Sequence, residues 1–160
     1  MISLIAAVDS NFLIGKGDKI PWHYKEDLLF FKQKVANQSV LMGLNTYQSL
    51  KSYYKDKSFP FNKIYVVSHS PILDSNVNWV SNLKDFLEKY KVSKDNIFVI
   101  GGSQIYQQSF EYADVMYITH VLKRYQGDIF FPCFDYTKYL IQDKKIIPEL
   151  IFVTYRRKLN

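Results

Sequence analysis

Short apolar runs alternate along this chain with stretches whose apolar residues return every three or four positions. Ile2 to Val8 is an apolar run of buried-strand length, interrupted only by Ser3 and closed by Asp9-Ser10-Asn11, and Gly15 to Pro21 reads as a loop. Lys25 to Val35 carries Leu28, Phe31 and Val35 at helical spacing. A short strand at Ser39 to Met42 and a short helix around Asn45 to Leu50 follow. Lys51 to Asn62 is a polar and aromatic loop broken by Pro60, and the β-branched run Lys63 to Ser68 is a strand. Asn82 to Tyr90 has a helical pattern. Asn96 to Ile100 reads as a buried strand that runs into Gly101-Gly102, after which Ser103 would cap a helix reaching Phe110. Val115 to Val121 is a further strand, and the tail offers two more, near Tyr139 to Lys144 and Ile151 to Arg157.

Strands that alternate with helices, then follow one another directly, predict an α/β fold. Its central sheet is mostly parallel, with an antiparallel C-terminal edge and helices on both faces. No repeat, linker or low-complexity tract divides the chain, so residues 1–160 read as one domain. Ligands of such sheets bind beyond the carboxyl ends of the strands. Asp9, Gly43, Ser68 and Gly101 fall there, which makes their loops the ones to read for chemistry.

Composition narrows the function classes. An apolar fraction of 48% against 22% charged residues is that of a globular chain. A single cysteine, Cys133, excludes an internal disulfide and a multi-cysteine metal site, and suits a reducing compartment. No apolar run approaches a membrane span or a signal peptide, so the expectation is a cytoplasmic protein. The net charge of +6 raises the question of nucleic acid, but lysines are scattered and the densest basic run, Arg156-Arg157-Lys158, is terminal. With no basic binding face on one element, the expected partner is a small molecule, drawn in by a mildly positive field.

Asp27 is the first chemical candidate. Tyr24, Phe30 and Phe31 lie three before, three after and four after it on the helix, so aromatics flank the carboxylate. Such a group titrates high unless a ligand or donor pairs with it. The plainer reading is a first-turn acid favoured by the helix dipole. Trp22, after Pro21, adds weight, because an indole in a loop needs a wall and an acceptor. The glycine pair after Ile100 lets backbone approach a ligand and offers N–H groups to phosphate, although a tight turn would look the same. His23, His69 and His120 are not at metal-ligand spacing, and no metal is expected. Cys133 has no activating neighbour and reads as inert packing.

Taken in order, the pieces resemble dihydrofolate reductases over essentially the whole chain. They are Ile2-Ser-Leu-Ile-Ala-Ala7, Ile14-Gly15, Pro21-Trp22, Asp27-Leu28 with Phe31-Lys32, Met42-Gly43, Thr46 and Ser49. Val99-Ile-Gly-Gly102 with Ile105-Tyr106, Tyr117-Ile-Thr-His120, and Gly127-Asp128 with Phe131-Pro132 complete the set. The resemblance implies hydride transfer from nicotinamide C4 to pterin C6 of dihydrofolate, with N5 protonated from water, in a monomer that uses NADPH. Asp27 would hold the pterin, with Thr119 behind it, and Trp22 and Tyr106 would complete the catalytic group. Ile5 and Ile100 would contribute carbonyls, and Leu28, Phe31 and Leu50 would sandwich the ring. Ala7, Ile14 and Tyr106 would shape the nicotinamide pocket, and Gly15 to Tyr24 would form a lid. Gly43, Thr46, Gly101, Gly102, Ser103, Gln104 and Ile105 would line the pyrophosphate region, with a cis bond between the two glycines. Ser68 and His69 would meet the adenosine end.

Three departures stand against these matches. The stretch where the family places a basic contact to the cofactor phosphates reads Gly43-Leu44-Asn45, and a second frequent arginine reads Gln104. The 2′-phosphate partner aligns with His69, so NADH stays open beside NADPH. The arginine that forks onto the glutamate-tail carboxylate falls at Asn62, and losing that fork costs on the order of 2–4 kcal/mol of binding. Lys63 is adjacent but, in an extended segment, would point the other way, and lysine does not replace a bidentate guanidinium. The alternatives are a reductase of a dihydropterin without a glutamate tail or of another small substrate on the same fold, or a nucleotide-binding protein without turnover. The intact Asp27, Trp22 and Thr119 argue against the last.

Overall fold

The computed structural model describes residues 1–17, 19–55 and 57–159. Its strands are β1 (Ile2–Val8), β2 (Leu13–Gly15), β3 (Ser39–Gly43), β4 (Ile64–Val67), β5 (Asn78–Val80), β6 (Ile97–Val99), β7 (Val115–Val121), β8 (Ile129–Phe130), β9 (Tyr139–Ile147) and β10 (Leu150–Arg157). The helices are α1 (Lys25–Val35), α2 (Leu44–Tyr53), α3 (Leu83–Lys91) and α4 (Ser103–Ser109). One sheet runs β5-β4-β3-β6-β1-β7-β10-β9, with β2 and β8 in a separate ribbon. The order is parallel from β5 to β7, and β10 and β9 close it antiparallel, as the pattern predicts.

Both faces of the sheet are covered, which is why the central strands read as continuous apolar runs rather than alternating ones. Successive residues divide between two cores. Leu41 and Val99 join Leu83 and Leu87 of α3 and Ile105 and Tyr106 of α4. Val40, Met42 and Phe98 join Val35 of α1 and Tyr47 of α2 on the opposite face. A third cluster, Leu13, Trp22, Val121, Leu150 and Phe152, seals the antiparallel end. Helix α3 starts where Asn82 accepts from the Asp85 N–H at 3.1 Å, a side-chain N-cap.

Three expectations need correction. Ser103 is the first residue of α4 rather than its cap. The cap position is Gly102, and the Ser103 hydroxyl donates to the Phe130 carbonyl at 2.9 Å, tying α4 to β8. Cys133 is exposed and packs against nothing in the core, because Phe131 and Phe134 turn inward on either side of it. The strands β2, β5 and β8 have no counterpart in the hydrophobic pattern, since two or three residues are too few to show a period.

Candidate active site

The carboxyl ends of β1, β3, β4 and β6 meet at one rim of the sheet, and α1 and α2 border it on the same face. Asp27 lies in the first turn of α1, its N–H bonded to the Tyr24 carbonyl at 3.2 Å. Burial pushes its carboxyl above the usual range, and a hydrogen bond from the Thr119 side chain pulls it back. Thr119 is 2% exposed on β7, where it pairs with Ala7 of β1. Leu28 and Phe31 of α1 and Leu50 of α2 are only half-buried, and Phe31 meets Phe61 edge-on, with centroids 6.4 Å apart. The flanking aromatics point elsewhere than the sequence suggests. Tyr24 bonds to Tyr125, and Phe30 packs on Phe152 at 4.7 Å.

Behind this carboxylate, the Tyr106 hydroxyl donates to the Ile5 carbonyl at 2.7 Å. Burial, then the charge of Asp27, raises the Tyr106 phenol above its ordinary value. So Ile5, Tyr106 and Asp27 form one neighbourhood. The glycine turn lies against it. Gly101 has φ +128°, where a side chain is strained, and a Cβ there would sit 3.5 Å from the Tyr106 ring and 3.6 Å from Thr46 Oγ1. The Gly101–Gly102 bond is cis. The Gly43 N–H donates to the Gly101 carbonyl at 2.9 Å, and the Ile100 N–H to Leu41. A Cβ on Gly43 would press on Ile105 at 3.2 Å. The result is a strip of bare peptide backbone with the Thr46 hydroxyl beside it.

The expected lid, Gly15 to Tyr24, is anchored at both ends, and its Asp18 lies outside the described residues. Half-buried Ile14 and buried Gly15 sit in β2. The Gly17 N–H donates to Asp128 at 2.9 Å, and the Asp128 N–H to the Gly15 carbonyl at 3.2 Å. Trp22, 9% exposed, packs on Tyr125 with centroids 5.2 Å apart. Tyr125 is therefore the wall an indole needs. The Tyr24 and Tyr125 hydroxyls share a hydrogen bond of 3.0 Å, which with burial pushes the Tyr24 phenol up to about 12.

Asp9 organises this corner, and the sequence does not reveal it as more than a strand terminator. The carboxylate is 3% exposed and accepts three backbone N–H groups, from Asn11 and Leu13 at 2.8 Å and from Tyr125 at 2.8 Å. It ties the end of β1 to β2 and to the loop carrying Tyr125. An acid directly after an apolar strand, followed by a further apolar pair, was the available signal. Tyr125 had none.

Ser68, directly after β4, is half-buried, and His69 and Gln104 are exposed. Asn62 is exposed too, at a bend where its N–H donates to the Gln38 carbonyl at 2.9 Å. Asn62 and its neighbour Lys63 both contribute to the lining of one polar hollow of about 220 Å³ with Gln38 and Asn96, just before β4 begins at Ile64. Two of the arginines are committed elsewhere, Arg157 to the Phe110 and Ala113 carbonyls and Arg156 to Gln142. Among the described residues no group of His, Cys, Asp or Glu could hold a metal, and no helix is long and apolar enough to cross a membrane.

A mostly parallel sheet whose rim carries a sunken acid, half-buried apolar walls and a glycine-lined strip of backbone is the build of an α/β enzyme with its site at the strand ends. The family model described as dihydrofolate reductase matches residues 1–155. The chain is 36% identical to a dihydrofolate reductase of Buchnera aphidicola subsp. Acyrthosiphon pisum (strain APS) over 89% of its own length and 88% of that protein's. It is 35% identical to the dihydrofolate reductase of Bacillus subtilis (strain 168), over 99% and 95%. A solved structure titled as the Enterococcus faecalis dihydrofolate reductase complexed with NADP(H) and RAB-propyl shares the fold, with a TM-score of 0.83 at 24% identity and coverage of 98% and 96%. The chain belongs to the dihydrofolate reductase family, a family of oxidoreductases.

Proposed function

We propose that this chain reduces dihydrofolate to tetrahydrofolate with NADPH, and that the sunken Asp27 beside Thr119 is the group that carries the activity. Its kinship with dihydrofolate reductases supports the reaction. The site geometry supports the assignment of roles. Asp27 holds the 2-amino group and ring N3 of the pterin, and its raised affinity for protons suits a carboxyl that shares a proton with the ring. Leu28, Phe31 and Leu50 clasp the ring on its apolar faces, and Ile5 and Ile100 offer carbonyls along its edge. Tyr106 fixes the Ile5 carbonyl in place.

The residues fit a dinucleotide on one observation in particular. At Gly101 a Cβ would fill the space between Tyr106 and Thr46, so glycine keeps open a cradle of bare backbone that a pyrophosphate can enter. NADPH, when bound, supplies the hydride. Thr46, Gly43, Gly102, Ser103, Gln104 and Ile105 line the cradle, Ser68 and His69 border its far end, and Ala7 and Ile14 border the nicotinamide end. Trp22 and the lid from Gly15 exclude bulk water over the ring. A cytoplasmic monomer acting on small molecules completes the reading. The lysines of the outer strand β9, Lys144 and Lys145, support the monomer, since charge on an edge strand opposes edge-to-edge pairing.

Asn62 favours a second reading, in which the substrate is a dihydropterin without a glutamate tail, because no guanidinium occupies the position for the tail carboxylate. Oxidation of NADPH and of NADH followed at 340 nm, with dihydrofolate and then with a tail-less dihydropterin, decides between them. Turnover of dihydrofolate with the lower KM supports the first, a lower KM for the tail-less compound supports the second, and turnover of neither overturns both.

A further inference from the structure

Ten residues, Ser68 to Val77, connect β4 to β5, and they are pinned at two places. At the stem, the Ser68 N–H donates to the Val80 carbonyl at 3.2 Å, and the Trp79 indole N–H donates to the Ser68 carbonyl at 2.9 Å. At the far side the pin is Asp74. Its carboxylate accepts the Tyr47 hydroxyl and the Asn76 N–H, and the Lys51 ammonium stands 3.7 Å from it. Tyr47 and Lys51 are one turn apart on α2, and the Lys51 ammonium lies 5.4 Å from the Tyr47 ring centroid. Two residues of one helix thus converge on one carboxylate of the loop.

Tyr47 is 3% exposed, and its ring packs in the core beneath α2. The neighbouring residue Thr46 faces the glycine turn. Helix α2 is therefore a strut with the backbone cradle at one end and the Ser68–His69 segment, through Asp74, on its flank. Hydrogen bonding from Tyr47 holds the Asp74 carboxyl below its usual range, so the clasp is charged and intact at neutral pH.

We infer that Tyr47 and Asp74, with Lys51, are positioning residues that set the β4–β5 loop against α2 for the adenosine half of the dinucleotide. The inference rests on the proposed use of Ser68, His69 and the glycine turn by NADPH. Neither residue touches the reacting ring, so the loss on breaking the clasp is confined to the adenosine end.

The test uses Tyr47→Phe and Asp74→Asn, which change few atoms, and Lys51→Met, which removes the cation while leaving the hydrogen bond. The dissociation constant for NADPH rises by about five- to tenfold in each of the first two, the size of one lost charge-assisted hydrogen bond, and less in the third. Combining Tyr47→Phe with Asp74→Asn adds little to either alone. The KM for dihydrofolate stays within about twofold, and reduced nicotinamide mononucleotide, which lacks adenosine, serves as hydride donor equally well in every variant. Equal losses with NADPH and with the mononucleotide, or no loss of NADPH affinity, overturn the inference. Should Tyr47→Phe fail to fold, Lys51→Met reads the same contrast between donors on a folded protein. Failure of the unsubstituted protein to bind NADPH sinks instead the reading on which the inference rests.

Discussion

The Tyr106 hydroxyl and the Ile5 carbonyl meet at 2.7 Å inside the fold, joining α4 to the central strand directly beneath the candidate site. Replacing Tyr106 by Phe keeps the ring but leaves the carbonyl unpaired. The expected cost is about 1–3 kcal/mol of stability, read as a lower urea midpoint at unchanged slope. A fall in kcat accompanies it, because the freed carbonyl no longer holds its place at the ring edge.

Asp27→Asn separates stability from activity. The folded protein holds the Asp27 proton to higher pH than the unfolded chain does, so as pH rises past the ordinary carboxylate pKa the unfolded state ionises first and stability is lost. Asparagine removes that penalty. The variant is therefore at least as stable as the parent at pH 7, by thermal melting, while kcat/KM drops by on the order of 100-fold or more.

Thr119→Val acts on the same carboxyl with the opposite sign. Thr119 lowers the Asp27 pKa, so its loss moves the limb of the kcat/KM profile that titrates Asp27 to higher pH. A profile that keeps its midpoint and loses only amplitude contradicts that role.

Asn62→Arg and Leu44→Arg restore charge at two places. The first lowers the KM for dihydrofolate, by about tenfold if the fork re-forms, and leaves a tail-less dihydropterin unaffected. The second raises affinity for NADPH more than for NADH. Steady-state kinetics with paired substrates and cofactors reads both, and no change in either shows that these loops do not face the ligands.

Gly127→Ala probes the lid anchor. A Cβ there would lie 2.5 Å from the Gly15 carbonyl oxygen and 2.8 Å from Leu13 Cδ1, so the loop must back away from β2. The expected cost is about 1–3 kcal/mol, with faster hydrogen exchange at Gly17, whose N–H bonds to Asp128.

How much of this was legible in the chain depends on range. The long strands β1 and β7 and the helix α1 follow from local pattern, and their observed bounds agree with it. The sheet order follows from alternation with helices. Asp27 and the glycine pair were visible because burial of an acid and a glycine turn each have local signs. Asp9, Tyr125 and the Tyr47–Asp74 clasp were not. The partners that give them their roles lie far off in sequence, Asp74 being 27 residues from Tyr47 and Tyr125 116 from Asp9, beyond the reach of local pattern.

The sheet's central position for β1 carries a cost in time. Ile2 pairs with Ile97 and Ser3 with Val115, so β1, once synthesised, waits for a long stretch of chain before either neighbour exists. Until then its six apolar residues are an exposed, adhesive segment, and synthesis slowed before Val121 prolongs that exposure. Nascent chains halted short of that strand should be rich in chaperone clients and poor in protease-resistant product.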